Sequence, residues 1–285
     1  MANEPRMPNT LIFSHYQISS LMAKDAASVT TISTDLGRST IQVRRVENGW
    51  ALPTGAILTD AQVKSIYNDQ NSCFRFVDGQ LEKVQTFSQR TNRYYSLMPT
   101  TRAPTMLISG ISMHRVKNTT PDKDTRQKIK ALGKPYGRVL DTATGLGYTA
   151  IMAAQTADMV ITIEFDPAVH EICRQNPWSD ALFLQPNIQP LVGNSADLAA
   201  VFPDVFFNAI IHDPPTFALA GEMYTLETYE HLYRILKPGG RLFHYIGNPE
   251  SRYGATTSRG VVARLGQVGF RITSKPQAFG VLAVK

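Results

Sequence analysis

Cysteine is scarce in this chain: Cys73 and Cys173 are its two thiols, far apart among 285 residues. Such a pair makes neither a disulfide framework nor a metal site, which leads us to expect a reducing cytoplasm and no bound metal. Long apolar runs are missing too. No stretch reaches the roughly 18 residues of a membrane span, and the N-terminus lacks the apolar core of a secretory signal. We therefore expect a cytoplasmic protein with no membrane partner. Charged residues make up 18% of the chain and hydrophobic ones 43%, the balance of an ordinary globular protein. Acidic residues run short in one region. Residues 1–137 carry 18 Lys/Arg against 10 Asp/Glu, residues 138–285 carry 11 against 13, and the segment 83–134 carries 11 against 2. Such a run either attracts an anionic partner such as RNA or forms a solvated basic face.

What is present centres on 138–166. It reads as a strand (138–141), a glycine-bearing turn (142–147), a helix (148–157) and a second strand (159–164). Glycines in such a turn let backbone approach a ligand, and the helix that follows aims its free N–H groups over the same spot. Glu164 closes the unit 19 residues after Gly145, where a carboxylate grips a ribose diol. The unit is built for a nucleoside-bearing cofactor.

Ahead of it, residues 1–10 read as a loose leader and 11–24 as a short helix. Strands at 29–34 and 40–46, an Asn48-Gly49 hairpin, a helix from Thr59 with a capping box to Gln62, and a second hairpin at Asp78-Gly79 follow. Val63, Ile66 and Tyr67 are expected on one face of that helix. We expect a β-rich α+β domain over 1–110 and a cofactor domain over 111–285. Arg90, Arg93, Tyr94, Tyr95 and Arg102 interleave basic and aromatic residues as an RNA-contacting surface does, or else the tyrosines are ordinary strand residues. Thr120-Pro121 starts a helix over 121–132, which would bring His114 and Arg115 either near the site or to the surface.

Beyond 138, helices and strands alternate, with strands at 189–192, 208–212, 241–246, 270–275 and 280–284 and helices at 167–176, 196–201, 227–236 and 258–268. Alternation predicts a mostly parallel sheet covered on both faces. The last two strands are too close for a crossover and must pair antiparallel. We expect a seven-stranded, doubly wound, Rossmann-like sheet with a C-terminal antiparallel hairpin, and no second nucleotide-binding half after it.

Gly145-Leu146-Gly147-Tyr148-Thr149-Ala150 satisfies a dinucleotide pattern, but a pyrophosphate over this turn would be repelled by Asp141 beside it. Read from Asp141, the run Asp-Thr-Ala-Thr-Gly-Leu-Gly resembles the first motif of class I S-adenosylmethionine (SAM)-dependent methyltransferases. The resemblance implies SAM as cofactor, with Asp141, Gly145 and Gly147 around its methionyl and ribose parts and Glu164 on the ribose. At the third strand end Asn194, with Ser195 beside it, stands where the family often places an acidic residue for the adenine amino group; Asp197 is the fallback.

The fourth strand ends in His212-Asp213-Pro214-Pro215-Thr216-Phe217. This resembles the motif of methyltransferases acting on amino nitrogens, in which the acidic side chain and the first proline carbonyl accept hydrogen bonds from the target amine. Asp213 and Pro214 are thus the catalytic candidates, with His212 ranked behind them as a general base. The aromatic sits one place late, at Phe217. Together with Gly239 to Tyr245, these motifs resemble a group of predicted methyltransferases, largely archaeal, of undefined substrate. Glu222, Tyr224, Asn248 and Arg252 are candidate acceptor contacts. The implied activity is methylation of an amino nitrogen, on an RNA base held by 83–134 or on a small-molecule amine. The alternatives are aminopropyl transfer from decarboxylated SAM and non-catalytic binding of SAM or RNA.

Overall fold

The computed structural model describes residues 10–23, 27–247 and 252–285, giving only the backbone of 252–257. The expected leader therefore lies, Thr10 apart, outside the described residues, as do Asn248 and the side chain of Arg252. The chain divides into two compact units. One takes the chain up to Asp122 together with Ala168–Asp180, and the other takes Lys123–Pro167 together with Ala181–Lys285.

The second unit holds a seven-stranded sheet of β1 (Arg138–Asp141), β2 (Met159–Glu164), β3 (Ile188–Val192), β4 (Phe207–His212), β5 (Leu236–Tyr245), β6 (Arg271–Lys275) and β7 (Gly280–Val284). Their order is β3-β2-β1-β4-β5-β7-β6. The first five run parallel, while β7 pairs antiparallel with both β5 and β6. Val139, Leu140, Ala209 and Ile210 are all fully buried, which is why the middles of β1 and β4 are apolar on both faces. The chain builds outward from β1 to β3 and then returns to the other side of β1 as β4. Such a reversal opens a crevice beyond the carboxyl ends of β1 and β4.

From Pro121 on, the helices include α1 (Pro121–Leu132), α2 (Tyr148–Ala153), α3 (Pro167–Gln175), α4 (Asp180–Leu184), α5 (Ser195–Val201), α6 (Leu226–Ile235) and α7 (Arg252–Val268). α2 packs on β1 and β2, and α6 packs between α5 and α7. Two expectations change here. α2 stops four residues short of Ala157, and β5 starts at Leu236, carrying Lys237 to Gly240 as an irregularity between the pairs Phe207–Leu236 and Ala209–Arg241. The sequence analysis had no element for α4.

The first unit carries three antiparallel sheets. Leu11–Phe13 pairs with Phe74–Val77 and that with Gln80–Lys83; Val29–Ile32, Ile41–Val46, Gly49–Ala51 and Ile57–Thr59 form the second; Gln85–Ser88, Arg93–Met98, Thr105–Ile108 and Ile111–Ser112 form the third. Phe13, Trp50, Leu58, Ile66 and Phe76 pack in its core. The helix expected over 11–24 is instead a strand, a single turn at His15–Ile18 and a 3-10 turn at Ser19–Met22. Cross-strand pairing of Leu11–Phe13 overrides local periodicity there. The hairpin at Asn48-Gly49 turns one residue early, since Gly49 already pairs with Val46. A Cβ on Gly49 would lie 2.3 Å from the Leu58 carbonyl oxygen, so close strand approach explains that glycine. Residues 168–180 fasten to this unit through Trp178 Nε1, which donates to the Leu36 carbonyl at 3.0 Å, and through Arg38–Asp180 and Thr86–Glu171 contacts at 3.0 and 2.9 Å.

The helix Asp60–Asn68 has the expected capping box: Thr59 Oγ1 accepts from the Gln62 amide at 3.2 Å and Gln62 Oε1 accepts from the Thr59 amide at 3.0 Å. Val63 and Ile66 are buried beneath it, whereas Tyr67 is exposed. Thr59→Ala removes one side of the box. We expect a loss of about 1 kcal/mol, read as a lowered melting temperature by circular dichroism, with the spectrum of the folded protein unchanged.

Candidate cofactor and acceptor site

The four strand ends that the sequence singles out are tied to one another by hydrogen bonds. Asp141, at the end of β1, is fully buried. Its Oδ2 accepts from the Thr149 hydroxyl of α2 at 3.0 Å and the Thr162 hydroxyl of β2 at 3.1 Å. Its Oδ1 has no hydrogen-bond partner among the described residues; the Ala143 amide acts on the carboxylate without reaching bonding geometry. Burial pushes this carboxyl up to about 7, against the pull of the two hydroxyls and with a further push from Asp213.

The turn after it needs both glycines, for different reasons. Gly145 and Gly147 have φ of +50° and +77°, the left-handed region that side chains disfavour. A Cβ on Gly147 would lie 2.9 Å from a Leu182 methyl, whereas one on Gly145 would meet nothing within 4 Å. Gly147 is thus required for packing, and Gly145 leaves open space over the turn. The Gly145 amide donates to Glu164 Oε2 at 3.0 Å, and the Asp166 amide donates to Oε1 at 3.2 Å. Burial pushes the Glu164 carboxyl up to about 7, and those amides oppose it. Because Glu164 is only half-buried, water screens part of that push.

At the third end, the Gly193 amide donates to the Glu164 carbonyl at 2.9 Å. Asn194 Oδ1 accepts from the Ala196 amide at 2.9 Å and so caps α5, while Ser195 Oγ donates to the Thr142 carbonyl at 2.5 Å. Asp197 is exposed in the first turn of α5. At the fourth end, His212 is fully buried, with Nδ1 2.8 Å from the Thr142 hydroxyl and Nε2 2.9 Å from the Met223 carbonyl oxygen. A carbonyl only accepts, so Nε2 carries the proton and Nδ1 accepts from Thr142. Burial lowers the imidazole to about 4. Beside it lies His244, ring centroids 4.4 Å apart, with Nδ1 donating to the Tyr245 carbonyl and Nε2 accepting from Tyr229.

Asp213 follows, with 18% of its side chain exposed. Its Oδ2 accepts from Lys128 Nζ at 2.6 Å. Lys128 sits on α1 with 3% exposure, pairs also with Asp124 at 3.1 Å, and lies 4.4 Å above the Tyr245 ring. Burial pushes the Asp213 carboxyl up and the ammonium opposes that push; burial disfavours the ammonium, but its two carboxylates raise Lys128 above the ordinary lysine value. The sequence analysis missed Lys128 and Asp124. Their i, i+4 spacing on a helix was the available signal. In the segment 83–134, Lys83 pairs with Asp69 and Arg102 with Asp122, at 2.7 and 2.8 Å.

Other candidates fall differently. Tyr224 is buried and its hydroxyl donates to the Pro215 carbonyl at 2.8 Å; Phe217 stays half exposed with its ring 5.7 Å from that of Tyr224; Glu222 is exposed. His114 Nδ1 lies 3.0 Å from the Thr105 hydroxyl in the first unit. No helix among the described residues is long and apolar enough to cross a membrane.

No family model matches the chain. The uncharacterized protein MJ1233 of Methanocaldococcus jannaschii is 39% identical over 287 residues, spanning 97% of this chain and 98% of its own. A demethylmenaquinone methyltransferase of Symbiobacterium thermophilum is 32% identical over 115 residues, 38% of this chain and 41% of its own. A crystal structure of spermidine synthase with the transition state analogue AdoDATO matches with a TM-score of 0.57 at 19% identity, covering 70% of this chain and 72% of its own. That likeness is one of fold, the mixed α/β sheet of SAM-dependent transferases.

Folding raises the Asp141 pKa, so the native state holds that proton more tightly than the unfolded chain does. The carboxylate therefore costs nothing below about pH 4 and progressively more up to about pH 7, on the order of 4 kcal/mol at most. Asp141→Asn keeps an oxygen for Thr149 and Thr162. We expect its melting temperature to rise relative to the parent between pH 5 and 8, and a constant difference across that range would refute the assignment.

Proposed function

We propose that this chain, which belongs to the family of the uncharacterized protein MJ1233 of Methanocaldococcus jannaschii, carries out SAM-dependent methylation of an amino nitrogen, with an RNA base as acceptor. The observation that carries this reading is the meeting of Glu164, Asp141 and Asp213 at the carboxyl ends of the adjacent strands β2, β1 and β4.

The residues present suit SAM. Open space over Gly145 and the unpartnered Oδ1 of Asp141 match a ligand with a cationic methionyl end. Glu164 accepts the Gly145 amide on Oε2 and the Asp166 amide on Oε1, with the Phe165 amide also acting on the carboxylate, and its remaining acceptor capacity suits a ribose hydroxyl. Asn194 Oδ1 keeps a lone pair for an adenine amino group, while Ser195 serves by holding the turn at Thr142. When bound, SAM supplies an electrophilic methyl group on a sulfonium.

The chain's own residues then need to orient the amine. Lys128 fixes Asp213 through Oδ2 and leaves Oδ1, which accepts no hydrogen bond among the described residues, for an amine N–H. The Pro214 carbonyl is the second acceptor, and the prolines hold the backbone stiff. Alignment of a neutral amine lone pair is most of what such a transfer requires. His212 has both nitrogens engaged inside the protein, so its role is to hold the ends of β1 and β4 together rather than to take a proton. One observation favours a second reading. Asp124 adds a buried carboxylate beside Asp213, the kind of extra negative charge that a polyamine acceptor of aminopropyl transfer would use.

Calorimetric titration with SAM, S-adenosylhomocysteine and decarboxylated SAM separates the readings, since preference for the decarboxylated form would favour aminopropyl transfer. Asp213→Asn should bind SAM within about twofold of the parent yet lose methyl transfer by roughly 100-fold or more, measured as tritiated methyl in the RNA fraction of a cell extract. Unchanged transfer would remove Asp213 from its role, and label confined to small molecules would remove RNA as acceptor.

A further inference from the structure

We propose that the open face of the third sheet in the first unit is a stacking platform for single-stranded RNA, with Phe87 and Tyr94 as the rings on which bases lie. The inference deepens the RNA reading above and rests on it for the choice of nucleic acid.

Phe87 and Tyr94 sit directly opposite each other in the antiparallel pair Gln85–Ser88 and Arg93–Met98, ring centroids 5.0 Å apart. Side chains alternate between the faces of a sheet, so their neighbours Thr86 and Tyr95 lie on the other face. That face is covered: Tyr95 is 3% exposed, and the Thr86 hydroxyl donates to Glu171 of α3 at 2.9 Å. On the open face Tyr94 keeps 58% of its surface in water and Phe87 44%. The register places Gln85, Ser96, Leu107 and Ser112 on that same face.

Charge selects the occupant. No Asp or Glu occurs between residues 83 and 121. Arg90 is in the hairpin turn beside the ring pair, and Arg115 and Lys117 follow the edge strand Ile111–Ser112, whereas Arg93, paired with Ser88, alternates to the covered face. Exposed rings with cations around them suit unpaired bases joined by phosphates: each base offers a π-face whatever its identity, and the cations track the backbone. A protein partner would want a continuous apolar patch around the rings, and the same face carries Gln85, Ser96 and Ser112 instead. Support of the hairpin by a cross-strand aromatic pair needs no such collar of positive charge.

The test is fluorescence anisotropy of labelled twelve-nucleotide oligouridine and oligoadenosine with the full-length protein, over a range of salt. Phe87→Leu/Tyr94→Leu keeps apolar area but removes the π-faces. We expect it to bind roughly 5- to 100-fold more weakly, at an unchanged salt slope and melting temperature. Arg90→Ala/Lys117→Ala should flatten the salt slope, by about 0.7 per lost phosphate contact. Absence of RNA binding by the parent at low salt overturns the platform, as does equal binding by the leucine variant. So does a parent that self-associates in sedimentation and is made monomeric by the leucine changes, which would make the face a protein interface. SAM calorimetry on the same preparations keeps the two ideas apart. A parent that binds SAM but not RNA loses the platform alone, and one that binds RNA through the rings but not SAM loses the methyltransferase reading alone.

Discussion

Lys128 is the charge on which the buried carboxylates beside the end of β4 depend. Carboxylates withdrawn from water are costly unless something cationic stands beside them, and here one ammonium answers both Asp124 and Asp213 while lying over the Tyr245 ring. A carboxylate held this way keeps a defined direction for its free oxygen. Asp141, a strand away, is bonded by two hydroxyls and by no cation among the described residues, and burial raises its proton affinity. Two acids with the same side chain thus acquire different characters from what the chain places around them.

The rest of the rim is held by small polar contacts. Thr142 joins three of the four strand ends, since its carbonyl accepts from Ser195, its hydroxyl meets His212, and its amide donates to the Ile211 carbonyl. Glu164 does the same for β2, the glycine turn and β3. A cofactor that settles on such a rim meets groups already oriented, which limits the ordering it must impose.

The sheet was legible from the sequence because parallel strands buried on both faces leave apolar runs, and its helices and strands alternate. The helix Pro121–Leu132 and the strands Arg138–Asp141, Met159–Glu164 and Gly280–Val284 begin and end where pattern and turn residues put them. The first unit was less legible where pairing outweighed periodicity, as at Leu11–Phe13. The site was legible at its motif residues, since glycine spacing and strand-end acids are local signals. Lys128 and Asp124 were not, because burial of an ion pair depends on residues such as Asp213 that lie 85 positions away. Nor were the roles of Asn194 and His212, whose polar atoms turned out to have partners inside the protein.

Residues 168–180 lie in sequence between two stretches of the second unit but pack with the first, through Trp178, Asp180 and Glu171. The chain therefore changes unit three times, and neither unit is one contiguous stretch. During synthesis the first unit waits for its last pieces until the ribosome has passed residue 180, by which time two strands of the other sheet have already been made. Truncation near residue 122 would leave Leu36, Arg38 and Thr86 without their partners, so a fragment ending there lacks part of its own unit.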